Sequence, residues 1–161
     1  QLFGGIGSDL LFGGSGADQL VGDSGDDELI GDDGNDMIIA GVGNDILEGG
    51  LGTDDLEGGD GNDVLIGGSG GDLLRGGRGD DLYLLTSEND GVQDVISDIQ
   101  GFDRLELVGR QSQFVMEGVS AASGIDVVAT NNNEILGTQG ANTFDFSQIQ
   151  TVGQEIGRAH V

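Results

Sequence analysis

Cysteine, proline, lysine and tryptophan are all missing from the 161 residues. Without cysteine, neither a disulfide nor a thiolate-held metal can form. Without proline, a chain of 34 glycines departs from the composition of flexible linkers, which are richer in proline and poorer in Leu and Ile. Basic residues are scarce too. Five arginines stand against thirty acidic residues, for a formal charge of −25. Such a chain has no basic surface for phosphates, so no nucleic-acid partner is expected. It is equally unsuited to an anionic membrane surface. No apolar run approaches the roughly 18 residues of a membrane span. The one histidine, His160, lies at the far C-terminal end, so no Ser-His-Asp constellation is in prospect. What remains is a soluble, self-repelling chain whose charge attracts cations.

The glycines and aspartates that are present recur at a fixed interval. Laid out in nines from Gly4, the chain reads GGIGSDLLF, GGSGADQLV, GDSGDDELI, GDDGNDMII, AGVGNDILE, GGLGTDDLE, GGDGNDVLI, GGSGGDLLR, GGRGDDLYL. Nine units run without an insertion from Gly4 to Leu84. Position four is always glycine: Gly7, Gly16, Gly25, Gly34, Gly43, Gly52, Gly61, Gly70 and Gly79. Position six is always aspartate: Asp9, Asp18, Asp27, Asp36, Asp45, Asp54, Asp63, Asp72 and Asp81. Position eight is large: seven leucines, Ile38 and finally Tyr83. Gln1-Leu2-Phe3 reads as the tail of a preceding unit. The expectation is a coil of two units. Six glycine-rich residues turn, and three residues form a short strand with position eight inward and positions seven and nine outward. Units n and n+2 then stack at the strand spacing of about 4.8 Å. Asp45 should therefore meet Asp27 and Asp63 rather than its sequence neighbours Asp36 and Asp54.

These units resemble the RTX, or haemolysin-type calcium-binding, nonapeptide repeat. The departures are mild: Ala40 replaces the first glycine once, and Asp23 and Asp32 replace the second. The resemblance implies an all-β fold, a right-handed, serralysin-like parallel β-roll over residues 1–84, followed by a C-terminal β flank over 85–154. It implies Ca2+ as the bound cofactor. The position-six aspartates would contribute side chains and the turns, closed by the position-four glycines, backbone carbonyls. Odd-numbered units leave four gaps and even-numbered ones three, so about seven interior ions are expected, with one or two more at the ends. It further implies a secreted, extracellular module that folds on calcium after passing a type I secretion apparatus. The module would be non-catalytic. It could be part of a larger protease, lipase or haemolysin, or one stretch of an adhesin.

Beyond Leu84 the regular nines stop. Asp94-Val-Ile-Ser-Asp-Ile and Gly101-Phe-Asp-Arg-Leu-Glu-Leu resemble the flank that follows such rolls, and an antiparallel or irregular β cap is expected there. Asp98 and Asp103 are candidate ligands for an end ion. Strands are expected at Gln113-Phe-Val-Met-Glu and Ile125-Asp-Val-Val-Ala-Thr, with a turn at Asn131-Asn-Asn. Residues 137–145 read as one degenerate repeat with Asn142 at position six. The last seven residues, 155–161, match one frame of a common sequencing adapter, GAG ATC GGA AGA GCA CAC GTC, and are expected to be read-through.

Two short motifs are accidents of the repeat. Gly67-Gly-Ser-Gly-Gly matches a nucleophile elbow, but Ser69 stands at a variable position with no histidine to serve it. Arg78-Gly-Asp80 is positions three to five of a unit. The outward positions differ between the two halves. The odd units present Leu10, Phe12, Ile30, Ile46, Val64, Ile66, Leu82 and Leu84, while the even ones present Gln19, Asp55, Glu57 and Arg75. An apolar outer sheet is expected to be a packing surface, for the C-terminal strands or for a partner.

Overall fold

The computed structural model describes residues 1–86, 94–97, 101–108, 113–116, 125–130 and 134–137. Ten strands follow one another through the repeats: β1 (Leu2–Ile6), β2 (Leu10–Ser15), β3 (Gln19–Ser24), β4 (Glu28–Asp33), β5 (Met37–Val42), β6 (Ile46–Leu51), β7 (Asp55–Asp60), β8 (Val64–Ser69), β9 (Leu73–Arg78) and β10 (Leu82–Thr86). Then come β11 (Val95–Ile96), β12 (Asp103–Val108), β13 (Gln113–Met116), β14 (Ile125–Thr130) and β15 (Glu134–Gly137). Among the described residues there is no helix.

Successive strands alternate between two sheets. One has the order β1-β3-β5-β7-β9-β11, the other β14-β12-β10-β8-β6-β4-β2. Every pairing is parallel and joins residues 18 apart within the repeats, as in Leu29 with Leu47 and Leu47 with Leu65. The fold is a parallel β-roll of about five turns. Position eight faces inward throughout. Leu20, Leu29, Ile38, Leu47, Leu56, Leu65, Leu74 and Tyr83 are fully buried between the sheets, and Leu11 nearly so. Aliphatic side chains at alternate residues of a strand give one closed face, and two such faces make a core one side chain thick.

Two expectations are corrected. The strands are not three residues long but mostly six, running from position seven through position three of the next unit. Positions two and three pair across the sheet, as Asp32 with Gly50 and Asp33 with Leu51, while position one is skipped. The chain bends there and continues extended. Position two takes a positive φ, 78° at Asp23 and 73° at Asp32, where aspartate is better tolerated than most side chains.

Nor does the roll end in an antiparallel or irregular cap after Leu84. β11 stacks in parallel on β9, with Ile96 beside Leu74, and β12 stacks on β10, with Leu105 beside Tyr83. Ile96 and Leu105 extend the buried core. The cause is in the spacing. Asp94 and Asp103 are nine apart, so the repeat resumes once a step of thirteen residues from Asp81 has been accommodated. β14 adds one more parallel strand, and β13 pairs in parallel with β15 in a separate two-stranded sheet. The expected strands are present over 113–116 and 125–130, whereas residue 117, the turn at 131–133, most of the degenerate repeat and the tail 155–161 lie outside the described residues.

Candidate metal centre

The gap between the Asp27 and Asp45 turns shows how the roll concentrates oxygen. Asp45 Oδ1 accepts the backbone N–H of Asp27 at 2.7 Å. Asp27 Oδ2 points the other way, into this same gap. A methyl group built on Gly22 would come within 2.5 Å of that Oδ2 and 2.6 Å of the Ala40 carbonyl oxygen. The carbonyls of Asp23 and Gly25 point at Gly41 and Gly43 of the next turn, so closely that a side chain on either glycine would collide with them. Two carboxylates and three carbonyls thus border one space. The N–H groups nearby are already committed: Gly25 donates to Val42 at 2.8 Å and Ile46 to Asp27 at 2.9 Å.

The same hydrogen bond marks every gap. From Asp27 to Asp81 each position-six Oδ1 accepts the N–H of the position-six residue one coil earlier, at 2.7–2.9 Å. The nine sequence-predicted aspartates therefore form two ladders, Asp9-Asp27-Asp45-Asp63-Asp81 and Asp18-Asp36-Asp54-Asp72. Asp45 meets Asp27 and Asp63, as the spacing requires. All nine position-four glycines adopt positive φ, between 106° and 157°. At Gly43 this is unavoidable, because a β-carbon would strike the Gly25 carbonyl.

Each ladder gains a rung that the sequence did not supply with certainty or at all. Asp103, a sequence candidate, takes position six and accepts the Asp81 N–H at 3.0 Å. Asp94, which was not a candidate, does the same for Asp72 at 3.0 Å. Both bridge 22 residues rather than 18. Asp98 lies outside the described residues; counted from Asp94 and Asp103 it falls at position one, not six. The signal for Asp94 was the nine-residue step to Asp103, hidden because its own unit has Val92 where the others have a position-four glycine.

The carboxylates are buried in an unfavourable setting. Asp27, Asp36, Asp45, Asp54, Asp63, Asp72, Asp81 and Asp103 are at most 2% exposed. The Oδ2 atoms of Asp9, Asp27, Asp36, Asp45, Asp54 and Asp72 are buried without a hydrogen-bond partner. A buried carboxylate oxygen with nothing to neutralise it is costly. The carboxyl of Asp54 is pushed up to about 6, first by burial and then by the charges of Asp72 and Asp36, against the pull of the Asp36 N–H. Burial likewise raises Asp45 and Asp72. Acceptors facing acceptors call for a cation between them. Among the described residues no three acidic or histidine side chains converge. A metal here would take two carboxylates per gap and complete its shell from backbone carbonyls, which suits a hard, oxygen-seeking ion of six to eight ligands such as Ca2+.

A family model of the RTX calcium-binding nonapeptide repeat, spanning four copies, matches the chain over residues 1–29, 21–56, 30–65, 48–83 and 57–92. The chain belongs to the RTX calcium-binding repeat family. No curated protein and no solved structure matches it. The RTX match ends at residue 92, while the stacked strands and position-six ladder run on through Asp94 and Asp103. The RTX roll is a calcium-binding repeat module, and no helix among its described residues is long and apolar enough to cross a membrane.

Proposed function

We propose that the RTX roll is a calcium-built folding module, with calcium held in the gaps by the position-six aspartates and by the turn carbonyls of positions one, two and four. The observation that carries this reading is the row of buried Oδ2 atoms facing carbonyl oxygens with no hydrogen between them. In each gap the carboxylate of one turn supplies Oδ2 and that of the next supplies Oδ1, so every interior aspartate serves two neighbouring gaps. The nine gaps from Asp9–Asp27 to Asp81–Asp103 set the ceiling on such ions. The bound metal supplies charge and coordination, not chemistry on a substrate, so the module is non-catalytic.

Affinity at the millimolar level would leave the chain unfolded at the low calcium of a cell interior and folded outside it. That dependence supports a secreted, extracellular protein exported unfolded by a type I apparatus. Within a larger protease, lipase, haemolysin or adhesin, the roll would be the part whose folding waits on calcium. Calorimetric titration of chelator-stripped protein tests the metal assignment. Several calcium ions should bind with heat and magnesium should bind poorly. Equal binding of both ions, or of neither, would refute it.

A further inference from the structure

Position five, one residue before the buried aspartate, is exposed at Asp26, Asn44, Asn62 and Asp80. On these odd turns it carries a second ladder. Asp26 Oδ1 accepts the Asn44 N–H at 2.8 Å, and Asn44 Oδ1 the Asn62 N–H at 3.0 Å. Asn62 Oδ1 accepts the Asp80 N–H at 2.8 Å, and Asp80 Oδ1 the Phe102 N–H at 2.9 Å. In each bond the earlier turn supplies the side chain and the later turn the N–H. Position six works the other way: Asp63 Oδ1, on the later turn, accepts the Asp45 N–H. Stacked odd turns from Asp26 onward therefore hold each other by a reciprocal pair of bonds.

The even turns make the pair once, at the Asp36–Asp54 gap, where Asn35 Oδ1 accepts the Thr53 N–H at 3.0 Å. Ala17 and Gly71 have no side-chain oxygen to offer the turns that follow them. Among the described residues no bond runs from Gly71 to the Thr53 side chain either. Of the two side-chain bonds, the Asp18–Asp36, Asp54–Asp72 and Asp72–Asp94 gaps keep the position-six one alone. Charge does not divide the turns in the same way: Asp23 and Asp26 stand on an odd turn, Asp32 and Asp33 on an even one. The consequence concerns a gap whose ion has left. Facing carboxylates and carbonyls then push the turns apart, and apparent affinity falls with the fraction of time the gap stays closed. A position-five bond is made only when the turns are stacked, so it favours the closed gap. Rigidity of this kind tunes calcium sites.

We propose that the two rows of calcium sites are unequal: the odd row, braced at position five, keeps its ions down to lower free calcium than the even row. This rests on the calcium reading of the gaps. It gives the roll a graded response, in which the even turns let go first as calcium falls.

The test follows glycine amide signals by NMR as chelator withdraws calcium from the loaded full chain. Gly43 and Gly61 each lie between two braced gaps, and Gly16 and Gly70 border unbraced ones. Gly43 and Gly61 should keep their bound positions to about fivefold lower free calcium, the effect of one hydrogen bond. Thr53→Asn gives the even row an acceptor for the Gly71 N–H and should bring the Gly70 midpoint down towards that of Gly61. Asn62→Ala should raise the Gly61 midpoint; if that variant does not fold in calcium, Thr53→Asn decides. One midpoint shared by all four glycines would overturn the proposal. So would a Gly70 midpoint unmoved by Thr53→Asn, because nearness to the end of the roll would then set the order. Signals that ignore calcium altogether would refute the calcium reading itself, a result distinct from a shared midpoint.

Discussion

At the residue scale, the aspartates are held where they are least comfortable as free carboxylates. Burial raises Asp54 to about 6, above the 3.8 of an ordinary aspartyl group. A group whose folded value lies above its unfolded one stabilises the fold when protonated. The metal-free roll should therefore gain stability as pH falls from about 6 towards 3.8, and lose it as pH rises through about 6. Calcium needs the ionised form, so its affinity should run the opposite way. Titrations at about pH 7.5 and about pH 5 should show markedly weaker binding in acid, with protons released on binding. Equal affinity at both would contradict the buried setting of Asp54. Ala40 offers a second residue-scale check. It stands at position one, where a β-carbon points at the cradle oxygens in other units. A40G should tighten calcium binding at the Asp45–Asp63 gap, read as a lower calcium midpoint for folding; a raised midpoint would mean that the methyl group does not intrude.

At the scale of the element, the two stacks of turns are braced unequally. On the odd side, position five forms an outer ladder: Asp26 Oδ1 accepts the Asn44 N–H, Asn44 that of Asn62, Asn62 that of Asp80, and Asp80 that of Phe102, at 2.8–3.0 Å. On the even side Asn35 Oδ1 accepts the Thr53 N–H at 3.0 Å, and the next position five is Gly71. These bonds point toward the C-terminal turn, opposite to those of position six, so the odd stack is tied in both directions. Asn44→Ala should cost about 1 kcal/mol in urea melts at saturating calcium. Thr53→Ala should cost much less, because its side chain supports no rung. Equal losses would remove the asymmetry. Much of the stacking was legible in the sequence because nine repeated units average out local ambiguity, and the pairing of Asp45 with Asp27 and Asp63 follows from the period alone. Strand length was not legible, because glycine at positions one and two reads as turn although the chain there remains extended and paired. The eleventh turn was half legible through Gly101 and Asp103. The tenth was not, since a thirteen-residue step hid Asp94. No pattern of residue types could have told that the Tyr83 hydroxyl leaves the core for the turn, where it accepts the Gly76 N–H at 2.7 Å.

At the scale of the whole molecule, a core one side chain thick must hold together nineteen acidic residues and two arginines between Gly4 and Leu84. Those arginines are placed to help, Arg75 beside Asp55 at 2.5 Å and Arg78 beside Asp60 at 3.4 Å, but partly exposed pairs of this kind contribute at most about 1 kcal/mol each. The outer faces do not differ as expected: Leu10, Phe12 and Ile46 are exposed on the sheet of the odd units, but Phe3, Ile6, Met37 and Val42 are exposed on the other. Neither salt bridges nor burial relieve the rows of carboxylates inside the turns. Calcium bound between the turns would, and the same ions would then decide whether the chain folds. Far-UV circular dichroism of the chain, recorded in chelator and again in millimolar calcium, tests this most directly. The account predicts an unfolded spectrum in chelator that converts to a strand spectrum when calcium is added. The same strand spectrum in both solutions would contradict it.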